Sequence, residues 1–213
     1  SVFFKDKRFL AYQFGFALAG TGNHLAYVFV PQVLKETVLP MHSQFTRFEA
    51  DALVGLVGAV LPAVFLIVSS VMWGRFLGKV NPMQGRAVFN AIQFLGFCMH
   101  AYGGISRQIW PFAVGAILLG ISGGGSTINW LTGSLYFAKN EHISLYNAIH
   151  VGLTGIRGLI APLIGLYLFR SEGLNWGSHI FTVAALLSLA GAVVMTIQGF
   201  ASSAPREPMA QTR

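Results

Sequence analysis

Arg157 stands in the middle of a long apolar stretch, and few residues in this sequence carry more chemical consequence. It lies ten residues into a run from Asn147 to Phe169, about 15 Å along a helix at a rise of 1.5 Å per residue. That depth is near the midplane of a bilayer, too far in for the side chain to snorkel out. A central arginine costs roughly 2.5–3.5 kcal/mol on insertion scales, so it normally faces a partner or a water-filled cavity. Asn147, His150, Thr154 and Arg157 are spaced 3, 4 and 3 apart and fall within about 80° of helical arc. Ser122, Ser126, Asn129 and Gly133, spaced 4, 3 and 4, form a second such face. Gln13, Gly20, His24 and Tyr27 form a looser third, with Asn23 at its edge. A fourth stretch carries Asn90, Gln93 and His100, of which His100 is expected at the membrane interface. Serines and threonines in membrane helices usually bond their own backbone or a neighbouring helix. Asn129 and Gln93 fit interhelical bonding and cavity lining equally. Helices with one polar stripe each can line a shared aqueous cavity, and His24, His150 and above all Arg157 are its candidates on residue type alone.

The elements that must hold these residues are membrane helices. Hydrophobic residues make up 54% of the 213 and charged ones 10%, with mean hydropathy +0.62. A soluble domain carries about 25% charged residues, so much of this surface faces lipid. Spans of roughly 20 apolar residues are expected over 9–33, 52–73, 88–105, 110–137, 147–169 and 178–200, the third being the weakest. Backbone groups in lipid are satisfied within each segment, so the spans are helices, and the alternation of a membrane barrel is absent. The fold class is an all-α membrane protein, one domain over 1–200 with six transmembrane helices. A polar, disordered cytoplasmic tail is expected over 201–213.

Loop charges give the orientation. Lys5, Lys7, Arg8, Arg75, Lys79, Arg86, Lys139, Arg206 and Arg213 fall on one side, against Lys35, Arg47, Arg107 and Arg170 on the other. Both termini are then cytoplasmic, in a bacterial inner membrane. The net charge of +7 is spread over loops with no basic aromatic stripe, which argues against nucleic acid as a partner. Cys98 is the single cysteine and excludes an internal disulfide. The run Gly120–Gly125 reads as close helix packing, since a phosphate loop needs a strand before it and a Lys after it. No metal and no cofactor are expected. The first residue is Ser1, without an initiator Met, which is expected of a piece of a longer chain or a processed end.

Two segments resemble the major facilitator superfamily. Gly74-Arg-Phe-Leu-Gly-Lys-Val-Asn-Pro-Met-Gln-Gly-Arg86 is similar to that family's Gly-x-Leu-Ala-Asp-Arg-x-Gly-Arg-Arg loop between the second and third helices. Gly74 and Lys79 match in kind, while Gly78 stands in place of the Asp and Asn81 in place of the second Gly. Gly158-Leu-Ile-Ala-Pro-Leu-Ile-Gly165 resembles the Gly-x-x-x-Gly-Pro-x-x-Gly pattern of the fifth helix, with Ala161 replacing one Gly. Pro162 frees a carbonyl one turn earlier, which can bend the helix. The resemblance implies one six-helix half, the C-terminal one, of a secondary-active transporter working by alternating access. Its partners are then a small solute, with an anion favoured by Arg157, the lipid bilayer, and the carrier's other half. It implies that the first and fourth helices line the cavity, with Asn23, His24, Ser126 and Asn129 as substrate contacts, and that the second and fifth face the other half, with Arg157 and His150 near that interface to bind an anionic group or form a gating pair. It also implies gating or structural roles for Gly74, Lys79, Gly158, Pro162 and Gly165. No Asp or Glu lies within a span, so a proton-coupling carboxylate lies in the other half, or a His serves, or the carrier is a uniporter.

Two other readings stand beside it. Gly120-Ile-Ser122-Gly123 resembles the Gly-x-Ser-Gly of rhomboid intramembrane proteases, with His150 as base. That family places its Ser and His on the fourth and sixth helices, whereas His150 falls on the fifth, so no enzyme is expected. A non-transporting assembly or scaffold protein with a carrier-like fold is the other.

Overall fold

The computed structural model describes residues 6–170 and 176–201. The tail expected to be disordered lies, beyond Ala201, outside the described residues, as do Lys5, Arg206 and Arg213. Among the described residues the chain is all helix and turn, with no strand. The long helices are α1 (Lys7–Ala26), α2 (Arg47–Leu77), α3 (Pro82–Ser106), α4 (Trp110–Thr132), α5 (Ile143–Phe169) and α6 (Ile180–Ala201).

Four helical segments among the described residues are long and apolar enough to cross a membrane: α2, α4, Asn140–Phe169 containing α5, and Gly177–Ala201 containing α6. They mark the chain as an integral membrane protein. Helices α1 and α3, with 20 and 25 residues, are long enough but too polar to join them. Their apolar character is diluted by Gln13, Asn23 and His24 in α1, and by Arg86, Asn90, Gln93 and His100 in α3. The two helices that fall short are thus two of those that carry an expected polar face.

The helices form an open arc in the order α2, α4, α3, α6, α1, α5. Helices α2 and α5 end the arc and are the least covered, with 17% and 11% of their apolar windows buried, against 50% and 44% for α4 and α6. Ile67 and Val71 on α2, and Leu159 and Leu163 on α5, are exposed. Small residues let the inner helices approach. A Cβ on Gly120 would sit 2.6 Å from the Pro62 carbonyl oxygen, and one on Gly124 2.7 Å from that of Leu66. A Cβ on Gly125 would enter the Phe89 ring. The glycine run therefore packs α4 on α2 and α3, as the sequence indicates. Trp73 Nε1 donates to Ile121 O at 2.7 Å across the same contact.

Prolines explain the joint between α1 and α2. Pro62 has no N–H to give Gly58, four residues earlier, and the helix loosens into a π turn over Leu56–Val60 just before it. The freed Gly58 carbonyl accepts the Tyr27 hydroxyl at 3.2 Å. Beyond Ala26, α1 tightens into a 3-10 turn over Tyr27–Phe29 ahead of Pro31, then runs on to Met41. Lys35 and Asp51 pair at 2.7 Å across this hairpin, but both are exposed and contribute little. Helix α5 runs unbroken across Pro162.

Two apolar clusters fill the arc. One gathers Leu25, Phe29, Phe97, Phe112 and Phe181 towards the end where α1 joins α2; the other gathers Phe9, Tyr12, Phe16, Met83 and Met195 at the opposite end. His100 belongs to the first. Expected at the interface, it is instead fully buried against Phe112 and Phe181, its Nε2 3.3 Å from Phe112 O. Replacing Gly120 with Ala forces α4 off a backbone oxygen and should destabilise by about 1–3 kcal/mol. Replacing Gly155, whose Cβ meets nothing within 4 Å, should not. Thermal melts of the two purified variants in one detergent test the contrast.

Candidate functional site

Between the two clusters lies a cavity of about 510 Å³. Helix α1 contributes Phe16, Gly20, Asn23, His24 and Tyr27; α4 contributes Ser122, Ser126 and Trp130. Arg86 and Gln93 enter from α3, and Thr154 and Arg157 from α5. The polar faces of four helices thus converge on one space.

The dominant feature is a pair of guanidinium groups on one ring. The Arg86 guanidinium carbon lies 4.2 Å from the Phe16 ring centroid, and that of Arg157 lies 4.9 Å from it. A cation over an aromatic ring is attracted by the ring's quadrupole, by roughly 0.5–2 kcal/mol. The shared centroid holds the two carbons within about 9 Å of each other. At that separation two like charges repel by about 2 kcal/mol at an effective dielectric of about 20. Neither arginine pairs with a carboxylate among the described residues. Arg86 is 4% exposed, and its guanidinium makes no hydrogen bond to a described residue. Arg157 donates one bond, from Nη1 to Phe16 O at 3.0 Å, and its Nε has no partner.

Arg157 sits 14 residues from the start of α5 and 12 from its end, at the middle of the helix. Gly20 makes room for it, since a Cβ there would collide with the guanidinium. Arg86 corrects the loop count: it is the fifth residue of α3, buried, rather than one of nine cytoplasmic loop charges. The helix starts earlier than the apolar run because Asn81 and Gln84 cap it reciprocally, at 2.9 and 3.2 Å, with Pro82 at its first position. That Asn-Pro-x-Gln pattern is the signal that could have placed Arg86 inside the helix, four and seven residues ahead of Asn90 and Gln93.

The other candidates divide. Asn23, His24 and Ser126 line the cavity, and the Ser126 hydroxyl is buried without a partner. Trp130, one turn after Ser126, lines it too, and its buried Nε1 has no partner. Asn129 does not line it. Its Nδ2 donates to Pro82 O at 3.0 Å and its Oδ1 accepts the Tyr12 hydroxyl at 3.0 Å, tying α4 to α3 and α1. His150 is fully buried behind Phe16, 4.6 Å between ring centroids, with Nδ1 3.0 Å from Gln13 Oε1. It supports the ring that carries both arginines. Gly74 and Lys79 are exposed at the α2–α3 turn. Gly165 packs α5 on the Leu25 carbonyl of α1, whereas Gly158 faces open space, with Pro162 half-buried between them. Among the described residues no cluster of His, Cys, Asp or Glu could hold a metal ion.

Tyr12→Phe tests the division between framework and site. It strips the Asn129 amide oxygen of its Tyr12 donor and should destabilise by about 1–3 kcal/mol in a thermal melt. Ser126→Ala, which removes a cavity-facing hydroxyl without a partner, should cost less in the same melt.

In comparisons with protein families and with curated proteins, no family model and no curated protein matches the chain.

Proposed function

We propose that this chain is one six-helix half of a secondary-active transporter for a small anionic solute, working by alternating access. The observation that carries the reading is the Arg86–Phe16–Arg157 cluster: two cations with no protein counter-charge among the described residues, beside a cavity large enough for a solute. Leaving two charges uncompensated at membrane depth is expensive, and an anionic solute removes that cost when it binds.

The arc supports the same reading. Helices α1 and α4 supply much of the cavity wall, while α2 and α5 end the arc with apolar faces turned outward. The major facilitator superfamily distributes its first, fourth, second and fifth helices in this way, so the arrangement agrees with the resemblance of the two motifs. All six helices are then spans, α1 and α3 tolerating their polar residues because those residues face the bundle. With Arg86 inside α3, loop positives number eight against four, which still favours cytoplasmic termini in a bacterial inner membrane.

The protease reading lacks a dyad. The Ser122 hydroxyl donates to Phe89 O at 2.9 Å, and His150 lies against Gln13 and Phe16. A scaffold has no use for two unpaired arginines beside a cavity, so the transport reading is preferred.

Uptake into proteoliposomes by the complete protein tests the proposal, screened with organic and inorganic anions. Arg157→Gln should reduce anion uptake by about tenfold or more while insertion and melting temperature are retained. Normal uptake in that variant would refute its role. Gly20→Ala, which displaces the same guanidinium without removing its charge, should reduce uptake less.

A further inference from the structure

Resting on the anion-carrier reading, we infer that the ligand is a compact dianion with both charges on one group, as in a phosphate monoester or phosphonate. The number of cations argues for the charge. Two guanidiniums face one cavity, and no carboxylate among the described residues pairs with either, so a monoanion leaves one of them uncompensated. Their spacing argues for a compact group. Both pack on the single ring of Phe16, which keeps their guanidinium carbons within about 9 Å of each other, close enough for one group to meet both. Long dicarboxylates, with charges at separate ends, match two distant cations better than two that share a ring.

The lining chemistry agrees. Arginine offers five N–H donors and no acceptor, in a fork that fits phosphoryl and carboxylate oxygens. Arg86 is nine-tenths buried and unpaired, which makes it a built feature of the wall rather than a surface charge. The Trp130 indole N–H and the Ser126 hydroxyl are further donors without partners beside the same space. A phosphoryl group, with three strongly accepting oxygens, suits a wall so rich in donors.

The same chemistry is found on a soluble phosphate ester and on the headgroup of phosphatidic acid. Arg157 lies at the middle of α5, far from headgroup depth, which favours the soluble source. The experiment separates them.

Methyl phosphate and methyl sulfate have nearly one shape and differ in charge. Calorimetric titration of the complete protein in detergent at about pH 8 should show methyl phosphate binding about tenfold more tightly, or more. The preference should fade towards about pH 5, as the phosphoryl group passes its second pKa of about 6 and becomes a monoanion. Methyl sulfate affinity should barely change over the same range. Arg86→Gln and Arg157→Gln should each remove the preference, and Arg86→Lys should keep part of it. Equal binding of the two esters overturns the dianion inference and leaves the anion-carrier reading intact. Tighter binding of succinate than of methyl phosphate overturns the single-group inference alone. Absence of binding by all three, with no anion uptake in proteoliposomes, removes the carrier reading itself. In phosphatidylcholine nanodiscs, loss of methyl phosphate binding on adding phosphatidic acid assigns the dianion site to lipid; unchanged binding assigns it to a soluble ester.

Discussion

Two positive charges share one aromatic ring inside a bundle of apolar helices, and much of the structure is arranged around that constraint. Phe16 holds Arg86 and Arg157 through its face, and His150 holds Phe16 at its edge. Gln13 fixes His150 in turn. Gly20 leaves the volume that the Arg157 guanidinium occupies. The cluster draws on three helices, α1, α3 and α5, whose relative placement must bring both guanidiniums onto one ring. That placement comes from hydrogen bonds elsewhere. Gln93 donates from one nitrogen to Ala19 O at 2.8 Å and to Ser188 Oγ at 2.7 Å, pinning α3 to α1 and α6. Asn129 pins α4 to α1 and α3.

Much of the arrangement was legible because lipid makes polar residues informative. In water an Asn or a Ser on a helix says little. In a long apolar run it needs either a partner or a cavity. Arg157 announced itself because nothing charged lies near it in sequence. The α1 face of Gln13, Gly20, His24 and Tyr27 also showed in the spacing, and each member now faces α5, α2 or the cavity. Arg86 stayed hidden because it follows Arg75 and Lys79 in a stretch that reads as a basic loop. Only the capping pattern at Asn81–Gln84 distinguishes the first turn of a helix from the end of a loop. His100 was misplaced for a related reason. Hydropathy locates a residue along the helix axis, but not whether it faces lipid, headgroups or three phenylalanines.

Spacing alone also could not separate two kinds of polar residue on α4. Ser122, Ser126 and Asn129 lie on one face, yet Ser122 and Asn129 are consumed by bonds to α3 and α1, while Ser126 is not. The difference depends on which neighbours present an acceptor at that height, which is tertiary information. Phe89 O and Pro82 O, both on α3, are the acceptors that decide it.

The distribution of satisfied and unsatisfied groups is itself an argument. Buried polar atoms are normally paired, since an unpaired one costs roughly 1–3 kcal/mol. Here the paired residues, such as Tyr12, Gln93, Ser122, Asn129 and Ser188, tie one helix to another. Of those with an unpaired buried atom, Arg86, Ser126, Trp130 and Arg157 line one cavity, whereas Gln13, His100 and His150 each keep one paired atom and lie away from it. Asn90, between Arg86 and Gln93 on α3, is buried with both amide atoms unpaired and does not line it; the structure offers no account of it. The four residues at the cavity approach it from three different helices; two are cationic and none acidic. What sets these four apart is charge: Arg86 and Arg157, neither paired with a carboxylate among the described residues, stand here, and an anion is the group that would relieve them.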